Sequence, residues 1–168
     1  MNKIAKDKLD KRRKETSLKS MYFNRFLLIR YITAVFFFTN LYWLCSLIMS
    51  NTLCALVPGI TFIFIIRSVW EQCTMYSAPI DNAKKTILAY KVILAENVLL
   101  LITIFTPLFK ELYPFLMNNT KSRGFILFIN LIGAILCVIS LNRLNKIKEQ
   151  TDKQYKLVKQ YEKKLKIK

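Results

Sequence analysis

The stretch Phe26–Met49, "FLLIRYITAVFFFTNLYWLCSLIM", runs for 24 residues with a single charged side chain, Arg30. An α-helix rises about 1.5 Å per residue, and about 20 apolar residues cross the ~30 Å hydrocarbon layer of a bilayer. The stretch is long enough to span. A secretory leader would have a shorter apolar run and a small-residue cleavage site. Neither is present, so the segment reads as a retained anchor.

Three further apolar segments follow: Thr52–Trp70, Ile87–Phe109 and Phe125–Leu141. Ser50–Asn51 allows only a very short turn between the first two. Pro58–Gly59 predicts a kink early in the second, and Pro107 marks the exit of the third. The fourth is the shortest, completed by residues 122–124 or by the helix beyond it. The expected fold is all-α. Four transmembrane helices occupy 26–141, between a basic N-terminal segment (1–25) and a basic amphipathic C-terminal helix (142–168).

The charges fit that plan. Of the 27 Lys and Arg, ten lie in residues 1–30, ten in 143–168 and seven in the 112 residues between. A soluble domain intersperses its charges, whereas basic ends around an apolar middle suit solvated tails on a membrane domain. Basic short segments stay on the cytoplasmic side. Both tails are therefore expected inside, which requires an even number of spans in the cell membrane. Lys84 and Lys85 put the connection between the second and third spans on that same side. The 110–124 connection carries three cations and one acid, the weakest fit to the rule.

Within the third span, "KVILAENVLLLITIF" (Lys91–Phe105) carries Glu96 and Asn97 among apolar neighbours. Glu96 lies nine residues into the span, about 13 Å of rise. An ionised carboxylate at that depth costs at least ~2.5 kcal/mol unless it is paired or protonated. Arg30 and Arg67 are at similar depth, so a buried polar cluster of Glu96 and Asn97 with Arg30 or Arg67 is expected, backed by Asn40 or Asn130. Such a cluster serves either to fix helix register or to hold a ligand. Lys91 points about 140° away from Glu96 and snorkels to the interface. With Arg30, Arg67, Lys91, Lys84 and Lys85 on the inner side, the expected ligand is anionic, a phospholipid headgroup first.

Two further patterns concern packing. Asn130, Gly133, Ala134, Cys137 and Ser140 recur at helical spacing, a small-residue face for a neighbouring helix or a partner subunit. In the tail, Leu144, Thr151, Val158 and Leu165 recur every seven residues, with Ile147, Gln154 and Tyr161 between them. This is a heptad seam of about three repeats. It fits either self-association or a basic helix lying on anionic lipid, where each Lys contributes about 1 kcal/mol.

Little supports catalysis. The chain has no histidine, which removes the commonest general acid/base and metal ligand. Cys45, Cys54, Cys73 and Cys137 are scattered, without metal-ligand spacing. Cys45 and Cys54 flank one turn, but in an apolar layer they read as small hydrophobes. No cofactor or metal is expected. The tails lack the interleaved aromatics of a nucleic-acid surface, so membrane phosphates are the expected polyanion.

The stretches "KSMYFNRFLLIRY" (19–31), "FFFTNLYWL" (36–44), "WEQ" (70–72) and "NAKK" (82–85) resemble small four-span membrane proteins of Gram-positive bacteria. That family has no established activity. Some members carry the label of a cellobiose phosphotransferase IIA subunit, which the absence of a phosphoryl-carrying histidine argues against here. The expected function is a non-enzymatic accessory or scaffold subunit, as a homo-oligomer or within a membrane complex. The alternatives are an oligomeric transporter or channel with Glu96 in the path, and an immunity protein against a peptide toxin.

Overall fold

The computed structural model describes residues 3–75 and 83–166, and all regular structure among them is helical. The helices are α1 (Lys3–Arg25), α2 (Leu27–Met49), α3 (Leu56–Thr74), α4 (Lys84–Thr103), α5 (Phe109–Leu112), α6 (Thr120–Lys148) and α7 (Lys153–Lys166). Four of the apolar stretches are long and apolar enough to cross a membrane: α2, α3 with the turn before it, α4, and α6 with its continuation.

Local chemistry sets the breaks. α2 stops at Asn51, whose φ of 50° is left-handed, a conformation asparagine tolerates better than most residues. Asn51 N–H donates to the Ile48 carbonyl and Thr52 N–H to the Leu47 carbonyl, so the last carbonyls of the helix are satisfied. A 3₁₀ turn, Leu53–Ala55, leads into α3. The kink expected at Pro58–Gly59 gives way to this turn. Pro58 is the third residue of α3, where its missing N–H breaks no ladder bond. α4 ends at Thr103, four residues ahead of Pro107, and the chain turns through Ile104–Leu108 into α5.

The start of α4 has no cap of its own. Glu71, from α3, supplies one: its carboxylate accepts from Lys85 N–H (3.1 Å), Thr86 N–H (2.7 Å) and Thr86 Oγ1 (2.8 Å). A carboxylate at a helix N-terminus satisfies orphan donors and complements the helix dipole.

α2 packs on α3, α3 on α4 and α4 on α6, while α2 and α6 meet far less closely. The bundle is therefore an arc with one open seam. One apolar cluster, including Phe26, Ile29, Ile65, Ile93, Leu144 and Ile147, fills the end nearer the termini. Another, including Leu100, Ile104, Phe109, Leu112 and Ile126, fills the distal end. At most 39% of any spanning window is buried, so most of each helix faces outward. Phe38, Ile63, Leu99, Phe128 and Ile135 are among the exposed side chains. An apolar exterior of this extent is what a lipid-facing surface needs and far exceeds the patches of soluble monomers.

α6 runs through residue 142 to Lys148 without interruption. It ends at Gln150 (φ 56°) by the same pair of bonds that closes α2, Gln150 N–H to the Ile147 carbonyl and Thr151 N–H to the Lys146 carbonyl. α7 then folds back and packs along α1. The two charged helices form a pair at the end of the bundle that carries both termini.

Candidate functional site

Glu96 and Asn97 lie on the inward face of α4 with Ile93 and Leu100, the i, i+3, i+4, i+7 spacing of one helix stripe. Glu96 is twelve residues after Lys84 and seven before Thr103, nearer the distal end of its helix. α6 meets this stripe with Asn130, Cys137 and Ser140, all buried, and with half-buried Gly133 and Ala134. The small-residue face is thus an internal packing face against α4. Asn97 Nδ2 donates to the Ile93 carbonyl at 2.8 Å, and its Oδ1 is directed at Gly133.

Between α2 and α6, with α4 as its floor, is a cavity of about 420 Å³. Glu96, Asn97, Asn40 and Asn130 supply its polar lining, and Phe36, Trp43, Tyr113 and Phe125 its aromatic walls. Trp43 closes the distal end: its indole N–H donates to the Leu112 carbonyl at 2.8 Å, and its ring stacks on Tyr113 with centroids 5.7 Å apart. Asn40 Nδ2 donates to the Phe36 carbonyl at 3.0 Å. Asn40 Oδ1 and Glu96 Oε1 are buried acceptors without a partner among the described residues.

Neither arginine reaches Glu96. Arg30 donates to the Gln72 carbonyl at 2.9 Å and lies over the Phe23 ring at 3.6 Å. Arg67 is exposed. The expected ion-pair cluster is thereby corrected: Glu96 and Asn97 come together with Asn40 and Asn130, and the two arginines belong elsewhere. Depth and phase both fail the pairing: Glu96 shares its cavity with Asn40, ten residues (about 15 Å of rise) beyond Arg30 on α2, and Arg67 is on an outward face of α3. Lys91, Lys84 and Lys85 are all exposed, the last two beside the Glu71 cap.

Arg30 borders a second cavity of about 550 Å³ between α2 and α3, walled by Phe23, Phe37 and Phe38. Behind it runs a polar chain that sequence reading missed. Gln72 Nε2 donates to Thr33 Oγ1 and to Ser68 Oγ, both at 3.0 Å, and the Tyr90 hydroxyl meets Thr33 Oγ1 at 2.9 Å. These hydroxyl and amide groups tie α2, α3 and α4 together. Each is unremarkable in sequence, and only helix phase brings them into one line.

At the terminal end, Arg25 and Asp152 form a buried two-pronged ion pair: Nη2 to Oδ1 at 2.8 Å and Nε to Oδ2 at 3.1 Å. Arg25 Nη2 also donates to the Ile147 carbonyl at 3.3 Å, and the Tyr155 ring lies 4.8 Å away. Asp152 Oδ2 further accepts from Tyr155 N–H, capping α7. Burial pushes the Asp152 carboxyl up, but the Arg25 hydrogen bonds and charge, with the Tyr155 N–H, outweigh it and hold the group below its ordinary value.

This junction also divides the heptad seam. Leu144 and Ile147 are buried in the core of the bundle, Thr151 is exposed at the break, and Val158 (1% exposed) and half-buried Tyr161 belong to α7. The Leu165 side chain lies outside the described residues. The seam is therefore not one continuous helix, and α7 pairs with α1 of its own chain. All four cysteines are free. Among the described residues no cluster of His, Cys, Asp or Glu is arranged for a metal ion. No family model matches this chain, and neither does any curated protein or solved structure.

Proposed function

We propose that this chain is a multi-pass protein of the cell membrane, with both termini cytosolic, and that it acts as a non-enzymatic accessory subunit. Its cleft between α2 and α6 receives a guest, either a small ligand or a helix of a partner or second copy. One observation carries this reading. The bundle is closed on three sides, and its open seam is lined by Glu96 and Asn40, each with a buried oxygen that lacks a partner among the described residues. Buried polar atoms within a spanning bundle are costly and are kept where they serve a pathway or a binding site. Anionic phospholipid fits the other end, where the lysines of α1 and α7 and the Arg30 cavity offer positive charge beside apolar walls.

The test is photocrosslinking in cells. A photoreactive residue in place of Tyr42 or Ile129, which line the cleft, should capture one discrete product identifiable by mass spectrometry. The same residue at Phe128, exposed away from it, should not. Equal, diffuse labelling at all three sites would sink the cleft reading.

A second reading has Glu96 in the path of an oligomeric transporter, favoured by its place in the wall of a cavity. Glu96→Gln would then abolish flux in vesicles at unchanged yield, whereas an accessory role leaves no flux to lose.

A further inference from the structure

Five chemical features of the cleft restrict its guest. Among the described residues lining it, Glu96 is the one acidic side chain, and there is no Lys or Arg. Glu96 and Asn40 are 8% and 7% exposed, so each is more than nine-tenths buried. The unpartnered atom of each, Oε1 and Oδ1, is an acceptor. The walls are aromatic, with Phe36, Trp43, Tyr113 and Phe125 facing one space. The volume, about 420 Å³, is that of a small-molecule site.

Alternative guests fit less well. An anion would meet a carboxylate with no cation near it. A neutral apolar body would leave both acceptors buried and unsatisfied, which costs each its full desolvation penalty. A hard divalent cation takes six or more oxygens at close range, and among the described residues no group of His, Cys, Asp or Glu is arranged to hold a metal ion here. A cation bearing N–H groups on an apolar body satisfies every feature, since it pairs the carboxylate, donates to Asn40, and places positive charge against ring faces.

We infer that the α2–α6 cleft binds a lipophilic ammonium ion, its charged head on Glu96 Oε1 with Asn40 Oδ1 as second acceptor, its apolar body between Trp43, Tyr113 and Phe125. This rests on the cleft being a guest site and specifies its chemistry. The ammonium belongs either to a free amphipathic amine or to an aminophospholipid, and the experiment separates these.

The full chain carrying Trp70→Phe, which leaves Trp43 as the single tryptophan, is placed in nanodiscs of phosphatidylglycerol. Trp43 fluorescence is titrated with 4-phenylbutylammonium, with its neutral N-acetyl derivative and with 4-phenylbutyrate. The ammonium should saturate and bind at least tenfold more tightly than either of the others. Glu96→Gln should weaken it tenfold or more, and Asn40→Ala several-fold. Should Glu96→Gln not fold, Asn40→Ala and Glu96→Asp carry the test, with ammonium preference reduced in both.

Equal affinity for the neutral derivative, or ammonium affinity unchanged in Glu96→Gln, overturns the inference. Crosslinks confined to cleft positions would then still uphold the cleft as a guest site, so the two failures are distinguishable. Lipid extracted from protein purified out of native membranes identifies the source. Enrichment of aminophospholipid over the Glu96→Gln variant assigns the ammonium to lipid, and equal lipid content with retained probe binding assigns it to a soluble amine.

Discussion

A Cβ built on Gly133 would lie 2.7 Å from Asn97 Oδ1, closer than real Cβ contacts come. Gly133 is therefore the space that the Asn97 side chain occupies, and the pair sets how closely α4 and α6 approach. Gly133→Ala must push Asn97 out of its bond to the Ile93 carbonyl or part the two helices. The expected loss is about 1–3 kcal/mol, the usual penalty for overpacking, read as a lower thermal midpoint in detergent. Gly124→Ala is the control. It meets nothing within 4 Å, and alanine is the better helix former, so it should leave the midpoint unchanged or raise it.

Arg25 and Asp152 make the second prediction. Removing one partner of a buried pair leaves the other charge uncompensated, at about 3–5 kcal/mol. Asp152→Ala or Arg25→Ala should release α7 from α1, and trypsin should cut α7 on the order of 100-fold faster, the population change that ~3 kcal/mol implies. The double variant should recover part of the loss.

The same pair fixes a pH dependence. The Asp152 carboxyl is held below its ordinary value in the folded chain, so its contribution is fully present above the unfolded value of about 3.9 and is lost as pH falls through the folded one. Hydrogen exchange of α7 amides, corrected for intrinsic rates, should be flat from neutral pH to about 5 and rise below about 4. In Asp152→Ala that acid rise should be absent.

Sequence reading captured what depends on composition and missed what depends on phase. The apolar runs and charge segregation are one-dimensional signals, and the four span-length helices follow from them. The Glu96–Arg30 pairing fails because residue counts from ragged span ends misjudge depth, Glu96 being level with Asn40 and not with Arg30, while Arg67 is on an outward face. Gln150 stops α6 in a left-handed conformation that glycine or asparagine normally adopts, so no residue type marked that break and the heptad seam read straight through it. Arg25 and Asp152 are 127 positions apart, beyond the reach of any periodicity. Glu96 and Asn97 were legible as a buried polar pair because carboxylates and amides are rare in apolar helices; their neighbours Asn40 and Asn130 were legible only as back-up to an arginine, because side-chain phase is not a one-dimensional signal.

Glu71 is the third element open to test. Its carboxylate holds two backbone N–H groups and the Thr86 hydroxyl at the start of α4, and Thr86 is fully buried. Glu71→Ala should cost about 1–2 kcal/mol, the range for losing a strong helix cap. Glu71→Gln keeps one acceptor oxygen but loses the charge and should cost less. The ordering Ala below Gln below wild type in thermal midpoint is the expected result, and equal midpoints would remove Glu71 from the folding of α4.

The charged pair α1–α7 gives the last prediction. α7 is rich in lysine along its length, as is α1, and exposed cations beside an anionic leaflet each contribute about 1 kcal/mol, decaying within a Debye length of about 10 Å at 0.1 M salt. With the protein in nanodiscs and its native cysteines replaced by alanine, the helix pair should lie closer to an anionic surface than to a zwitterionic one, read as quenching of a dye on a cysteine placed at the exposed Gln160 by headgroup-labelled lipid. Raising salt to about 1 M shortens the screening length to about 3 Å and should abolish the difference. Replacing Lys153, Lys156 and Lys159 by Gln should do the same at low salt while leaving the Arg25–Asp152 bond intact. Quenching indifferent to lipid charge, salt and these substitutions would mean that the pair stands clear of the membrane, and its lysines would then have to meet an acidic protein partner instead.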